Sequence, residues 1–160
     1  MRKPQHWLTL TAVLATCLGC AGRGPATGGG THGAHGAPTH PVPPSSEEAY
    51  ARSRASEAGL FRASYRSDTE PLPLNVIHTW TLAVETAGGE AVKDAEIGVE
   101  VTMPEHGHGM PTTPAVAKNH GDGTYQVDGL KFSMPGWWVL GFKIRAGGKS
   151  DVVTFHVRLQ

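Results

Sequence analysis

From Leu60 to the end of the chain, apolar and polar residues alternate with the two-residue period of β-strands, not the 3.6-residue period of helices. Phe61, Ala63 and Tyr65 alternate with polar neighbours. Leu74, Val76, His78, Trp80, Leu82 and Val84 share one face of a second strand, with Asn75, Thr79, Thr81 and Glu85 on the other. Ile97, Val99, Val101 and Met103 line a third strand, opposite Glu96, Glu100 and Thr102. A weak strand near Val116 follows, then one with Tyr125 and Val127 inward. Trp138, Leu140, Phe142 and Ile144 alternate next, and Val153, Phe155, Val157 and Leu159 last. Gly88-Gly89-Glu90, Gly121-Asp122-Gly123 and Gly147-Gly148 supply turns. This spacing predicts an all-β fold, an immunoglobulin-like antiparallel β-sandwich of about seven strands over residues 57–160.

The remainder of the chain has a different texture. Residues 21–56 run through Gly-Gly-Gly, His-Gly-Ala-His-Gly-Ala-Pro and Pro-Pro-Ser-Ser, with few apolar side chains to offset the entropy of ordering. They read as a tether, with an end-to-end distance on the order of 35 Å. A frayed helix is expected over 47–58, capped by Ser45 or Ser46. Arg2 and Lys3 precede an apolar run over residues 7–18, the pattern of an export signal. Leu18-Gly19-Cys20 at its end resembles a lipobox, which predicts a lipoprotein signal over residues 1–20, lipidation at Cys20 and attachment to a membrane. Leu14-Ala15-Thr16-Cys17 offers a second register, and an ordinary signal peptide is the plainer alternative.

After cleavage at Cys20 no other thiol remains, so no disulfide framework is available and stability rests on the core. Fourteen Lys and Arg balance fourteen Asp and Glu, with no basic run after the signal, which argues against nucleic acid as a partner.

Candidate chemistry concentrates in Met103-Pro104-Glu105-His106-Gly107-His108-Gly109-Met110-Pro111. Soft thioethers and borderline imidazoles together suit copper, Cu(I) above all. If the segment is extended, His106 and His108 aim to one side, and Met110 follows after two more residues. Met134, in a similar Met-Pro-Gly turn, is a further candidate ligand or an adaptable apolar filler. The plainer reading of the loop is a Gly-rich turn that happens to carry histidine. His32, His35 and His40 read as parts of a solvated spacer that could bind metal only loosely. His78 reads as a hydrogen-bonded core histidine that could complete the site if its strand end lies near the loop, and His120 and His156 read as surface residues. Trp137 and Trp138 read as core and rim, though a Trp beside Cu(I) can make a cation–π contact.

No nucleophile–base set, phosphate loop or catalytic carboxylate pair is visible, so an enzyme is not expected. Without a cysteine in the folded part, a blue-copper electron carrier is disfavoured, and no Cys-x-x-Cys-His haem attachment is present. Two readings remain: a lipid-anchored periplasmic copper-binding protein for copper chaperoning, scavenging, delivery or homeostasis, with a copper-receiving protein as a candidate partner, or a structural or interaction module of the cell envelope.

The order His78-x-Trp80, then Met103-Pro104-x-His106-x-His108-Gly109-Met110-Pro111-Thr112, then Gly123-x-Tyr125-x-Val127-x-Gly129-Leu130-x-Phe132-x-Met134-x-Gly136-x-Trp138 resembles the YtkA-like/FixH-like family of exported bacterial domains. The resemblance covers about residues 60–160. It implies a small immunoglobulin-type sandwich on a lipoprotein or membrane anchor, and a copper-related periplasmic role. It carries forward Met103, His106, His108 and Met134 as site positions. Leu often stands in the family where this chain has Met110, and a lipobox and tether replace the membrane helix of FixH-like proteins.

Overall fold

The computed structural model describes residues 41–160. The expected export signal with Cys17 and Cys20, and the histidines of the expected tether, lie outside the described residues.

The alternation builds nine strands: β1 (Ser53–Ala55), β2 (Phe61–Ser67), β3 (His78–Thr86), β4 (Glu96–Met103), β5 (His108–Gly109), β6 (Ala115–Asn119), β7 (Thr124–Leu130), β8 (Gly136–Ala146) and β9 (Lys149–Leu159). They form a five-stranded sheet in the order β1-β2-β3-β7-β6 and a four-stranded sheet in the order β5-β4-β8-β9. All the strand pairings are antiparallel. The protein is therefore a β-sandwich, and the expected strands are all there. The two additional ones, β1 and β5, are three and two residues long.

Alternation places one face of each long strand in the core, because successive side chains point to opposite faces of a sheet. Phe61, Ala63 and Tyr65 of β2 are buried, as are Trp80, Leu82 and Val84 of β3, Tyr125 and Val127 of β7, and the expected inward residues of β8 and β9. Tyr65 stacks on Trp80 with ring centroids 4.0 Å apart, and meets Phe155 of the facing sheet edge-on at 5.0 Å. Aromatic contacts of this kind add to the burial of apolar area.

Two expectations need correction. β3 begins at His78, not at Leu74. Asn75 has a positive φ of 59°, which turns the chain and breaks the alternation. Leu74 bridges to Phe132 instead, while Val76 and Ile77 are left 54% and 64% exposed. The helix expected over 47–58 is only a four-residue 3₁₀ turn, Glu47–Tyr50, with no side-chain bond from Ser46. That stretch lacks a helical apolar stripe, and its neighbours find better partners in the sandwich. Ser53–Ala55 pairs with β2, and the Tyr50 hydroxyl accepts a bond from the Arg158 guanidinium at 2.6 Å. The folded domain therefore starts before residue 57.

Candidate metal centre

β4 carries the candidate loop to one end of the sandwich, where β3 begins, β7 ends and β8 begins. Met103, the last residue of β4, pairs with His108 of β5. Residues 104–107 form the connecting turn, closed by the N–H groups of His106 and Gly107, which both donate to the Met103 carbonyl at 3.0 Å. Gly107 adopts φ 67°, so the segment turns tightly where an extended loop was one expectation. Gly109 is required by close approach: a Cβ there would lie 2.9 Å from the Val101 carbonyl oxygen.

The hairpin leaves both imidazoles exposed, with ring centroids 5.8 Å apart and planes inclined by 47°. His108 Nδ1 lies 2.9 Å from the Gly109 carbonyl oxygen. A carbonyl only accepts, so Nδ1 carries the proton and the Nε2 lone pair is left open. A backbone partner on one ring nitrogen is the usual way a metal-ligating histidine is oriented. The His108 ring also meets the edge of Trp138 at 6.0 Å, a contact that the two-residue pattern of β8 does not reveal.

The thioethers are placed differently from one another. Met103 is fully buried and its Cε lies against Gly136, where a Cβ would collide with it; it is a core residue. Met110 is half-buried, and its Sδ accepts the Lys131 N–H at 3.4 Å. Met134 is half-buried beside the core, and its carbonyl accepts the Trp138 indole N–H at 3.1 Å. Trp138 thus links Met134 to His108. Among the described residues, no three His, Cys, Asp or Glu side chains are grouped to hold a metal ion. The side chains at this end of the sandwich offer imidazole and thioether, a donor set that suits a soft cation.

The other histidines separate cleanly. His120 is exposed. His156, expected at the surface, is half-buried: its Nδ1 accepts the Trp137 indole N–H at 3.0 Å, and Tyr50 packs on its ring at 6.2 Å. Burial, with the nearby Arg54 charge, lowers its pKa. His78 is 3% exposed and joined to Phe132 by a ring contact of 5.4 Å. Its Nδ1 lies 3.1 Å from the Val76 carbonyl oxygen, whereas its Nε2 is buried without a partner. The expected core histidine is in the core, but only one of its nitrogens is satisfied.

Comparison with known proteins adds three findings. No curated protein matches the chain. The C-terminal domain of ZirS is a solved structure to which the chain is similar, at 20% identity and a TM-score of 0.36, over 74% of this chain and 82% of that one. The YtkA-like family model matches residues 69–142, a span that runs from the approach to β3 through most of β8 and includes the whole Met/His hairpin. The protein carries a YtkA-like domain.

Proposed function

We propose that this is an exported, lipid-anchored protein that binds Cu(I) at the β4–β5 hairpin and passes it to a receiving protein. The observation that carries the reading is the pair of exposed imidazoles 5.8 Å apart, one of them oriented by a backbone carbonyl. The thioethers of Met110 and Met134 stand at the same end of the sandwich. The two Nε2 atoms and a half-buried sulfur are the donors proposed to hold the ion, a mixed imidazole–thioether set that suits Cu(I). An open site without thiolate favours exchange over storage. The membrane anchor is the Cys20 lipid, and the ion is cargo held and handed on, with no reaction catalysed.

A second reading, an interaction module of the cell envelope, draws on Val76 and Ile77, two neighbouring apolar side chains exposed at 54% and 64%. Cu(I) competition titration of the full chain, beside the His106→Ala/His108→Ala double variant, separates the two. One equivalent of Cu(I) bound by the native protein and lost in a folded double variant supports the copper reading. Equal binding by both proteins removes the hairpin from the site, and no binding by either leaves the interaction module.

A further inference from the structure

The same end of the sandwich holds a feature that the hairpin does not use. Among the described residues, His78 Nε2, Trp80 Nε1 and Thr112 Oγ1 are buried side-chain polar atoms with no hydrogen-bond partner. Leaving such a group unpaired costs stability, so its persistence calls for an occupant or a function. Of the three, only His78 Nε2 is a strong acceptor with a directed lone pair. The Val76 carbonyl takes the Nδ1 proton and so fixes the tautomer that leaves Nε2 open, the arrangement also found at His108.

The surroundings of His78 are soft. Its ring lies 5.4 Å from Phe132 and 6.4 Å from Trp80. Its strand partner is Leu130. Between Leu130 and Phe132, the Lys131 N–H holds the Met110 sulfur at 3.4 Å. A thioether is thereby fixed on the three-residue stretch that His78 contacts at both ends. The donors placed here are imidazole and thioether, a set that suits a soft cation. The contacts that lead from His78 to the surface pass through Phe132 to Trp138 at 5.5 Å, and from Trp138 to His108 at 6.0 Å. The interior imidazole is thus set back from the exposed pair by two aromatic rings.

We propose that His78 Nε2 is a second, interior ligand position for a soft monovalent cation, with the Met110 thioether as its partner. The choice of ion rests on the copper reading of the hairpin; the position does not. Cu(I) accepts low coordination numbers and soft donors, and the aromatic faces of Phe132 and Trp80 can support a desolvated cation. An ion at this depth is protected from oxidation and exchange, and the exposed pair serves as its entry point.

The test is imidazole ¹⁵N NMR of the full chain, titrated anaerobically with Cu(I) and, separately, with Ag(I). It is run on the native protein, on the His106→Ala/His108→Ala variant and on His78→Gln. The expected result is a saturable shift of the His78 Nε2 resonance, with Nδ1 little changed, that persists in the double variant and weakens at least tenfold on Met110→Leu. If only His106 and His108 shift in the native protein, the interior position is overturned and the hairpin stands. If neither histidine group shifts, both readings fall. The decisive spectra keep His78 in place, so they do not depend on whether His78→Gln folds. A His78 resonance that reports only exchange with a buried water, unmoved by either ion, also overturns the proposal.

Discussion

The two ends of this sandwich treat buried polar groups in opposite ways. At the end where β8 turns into β9, Asp151 accepts N–H bonds from Ala58 and Leu60 across the two sheets, at 3.1 and 3.2 Å, and from Val152 at 2.8 Å. The Tyr125 hydroxyl there donates to the Val92 carbonyl at 2.6 Å and accepts the Ala95 N–H at 2.8 Å. At the opposite end, His78 Nε2, Trp80 Nε1 and Thr112 Oγ1 are buried and unpaired. One end is closed by complete hydrogen bonding, and the other keeps open donor atoms beside an exposed pair of imidazoles. Satisfied buried polar groups hold a fold in one arrangement, whereas unsatisfied ones cost stability and are retained where something else needs them.

The comparison can be broken most severely from within the core. Trp138 is fully buried and touches both Phe132 and His108, so Trp138→Ala should destabilise the domain by about 3–5 kcal/mol and disorder the open end with it. Denaturant unfolding measures the loss; a loss within the range of a surface substitution would mean that the open end is not anchored by this ring.

A smaller effect is expected at the closed end, and it depends on pH. The Ser56 hydroxyl and the N–H groups of Ala58, Val152 and Leu60 hold the Asp151 carboxyl at about 2, below its ordinary value. Its folded-state pKa is depressed, so its contribution is fully present above the ordinary carboxylate value near 4. That contribution is lost as pH falls from there through about 2. Asp151→Asn should lower the melting temperature at neutral pH and flatten the acid limb of the melting temperature against pH. An unchanged acid limb would assign the acid sensitivity to other carboxylates.

The smallest stability effect belongs to the hairpin. His106 and His108 are exposed, and His106→Ala/His108→Ala should change stability by less than about 0.5 kcal/mol while removing the proposed Cu(I) site. Cooperative melting retained without metal checks the first half of that statement. A double variant that no longer melts cooperatively would make the hairpin a structural element and erase the contrast between the two ends.

Much of the fold was legible in the alternation, and the departures have identifiable causes. Met103, Trp138 and Phe155 fall inward as their strand parity requires. The reading of Leu74 through Val76 as part of β3 failed because a single residue, Asn75, leaves the extended region and resets which side faces in. The stretch before β2 looked like tether because Arg52, Ser53 and Arg54 carry no apolar signal. It joins the sheet through backbone pairing, which composition does not encode.

The candidate site divides along the same line. That Met103, His106, His108, Met110 and Met134 belong to one chemical theme is written in the sequence, because residue type and close spacing are local properties. That Met103 is core, that Met110 sulfur lies on Lys131, that Trp138 reaches His108 and that His78 keeps an open nitrogen are decided by tertiary structure. Strand faces follow from the backbone's own two-residue geometry and need only neighbours in the chain. Hydrogen-bond satisfaction depends on which distant segments arrive beside a buried atom. At this end of the sandwich, the local turn before β3 supplies His78 Nδ1 with the Val76 carbonyl, while the packing of β3 against β7 buries Nε2 and brings it no partner.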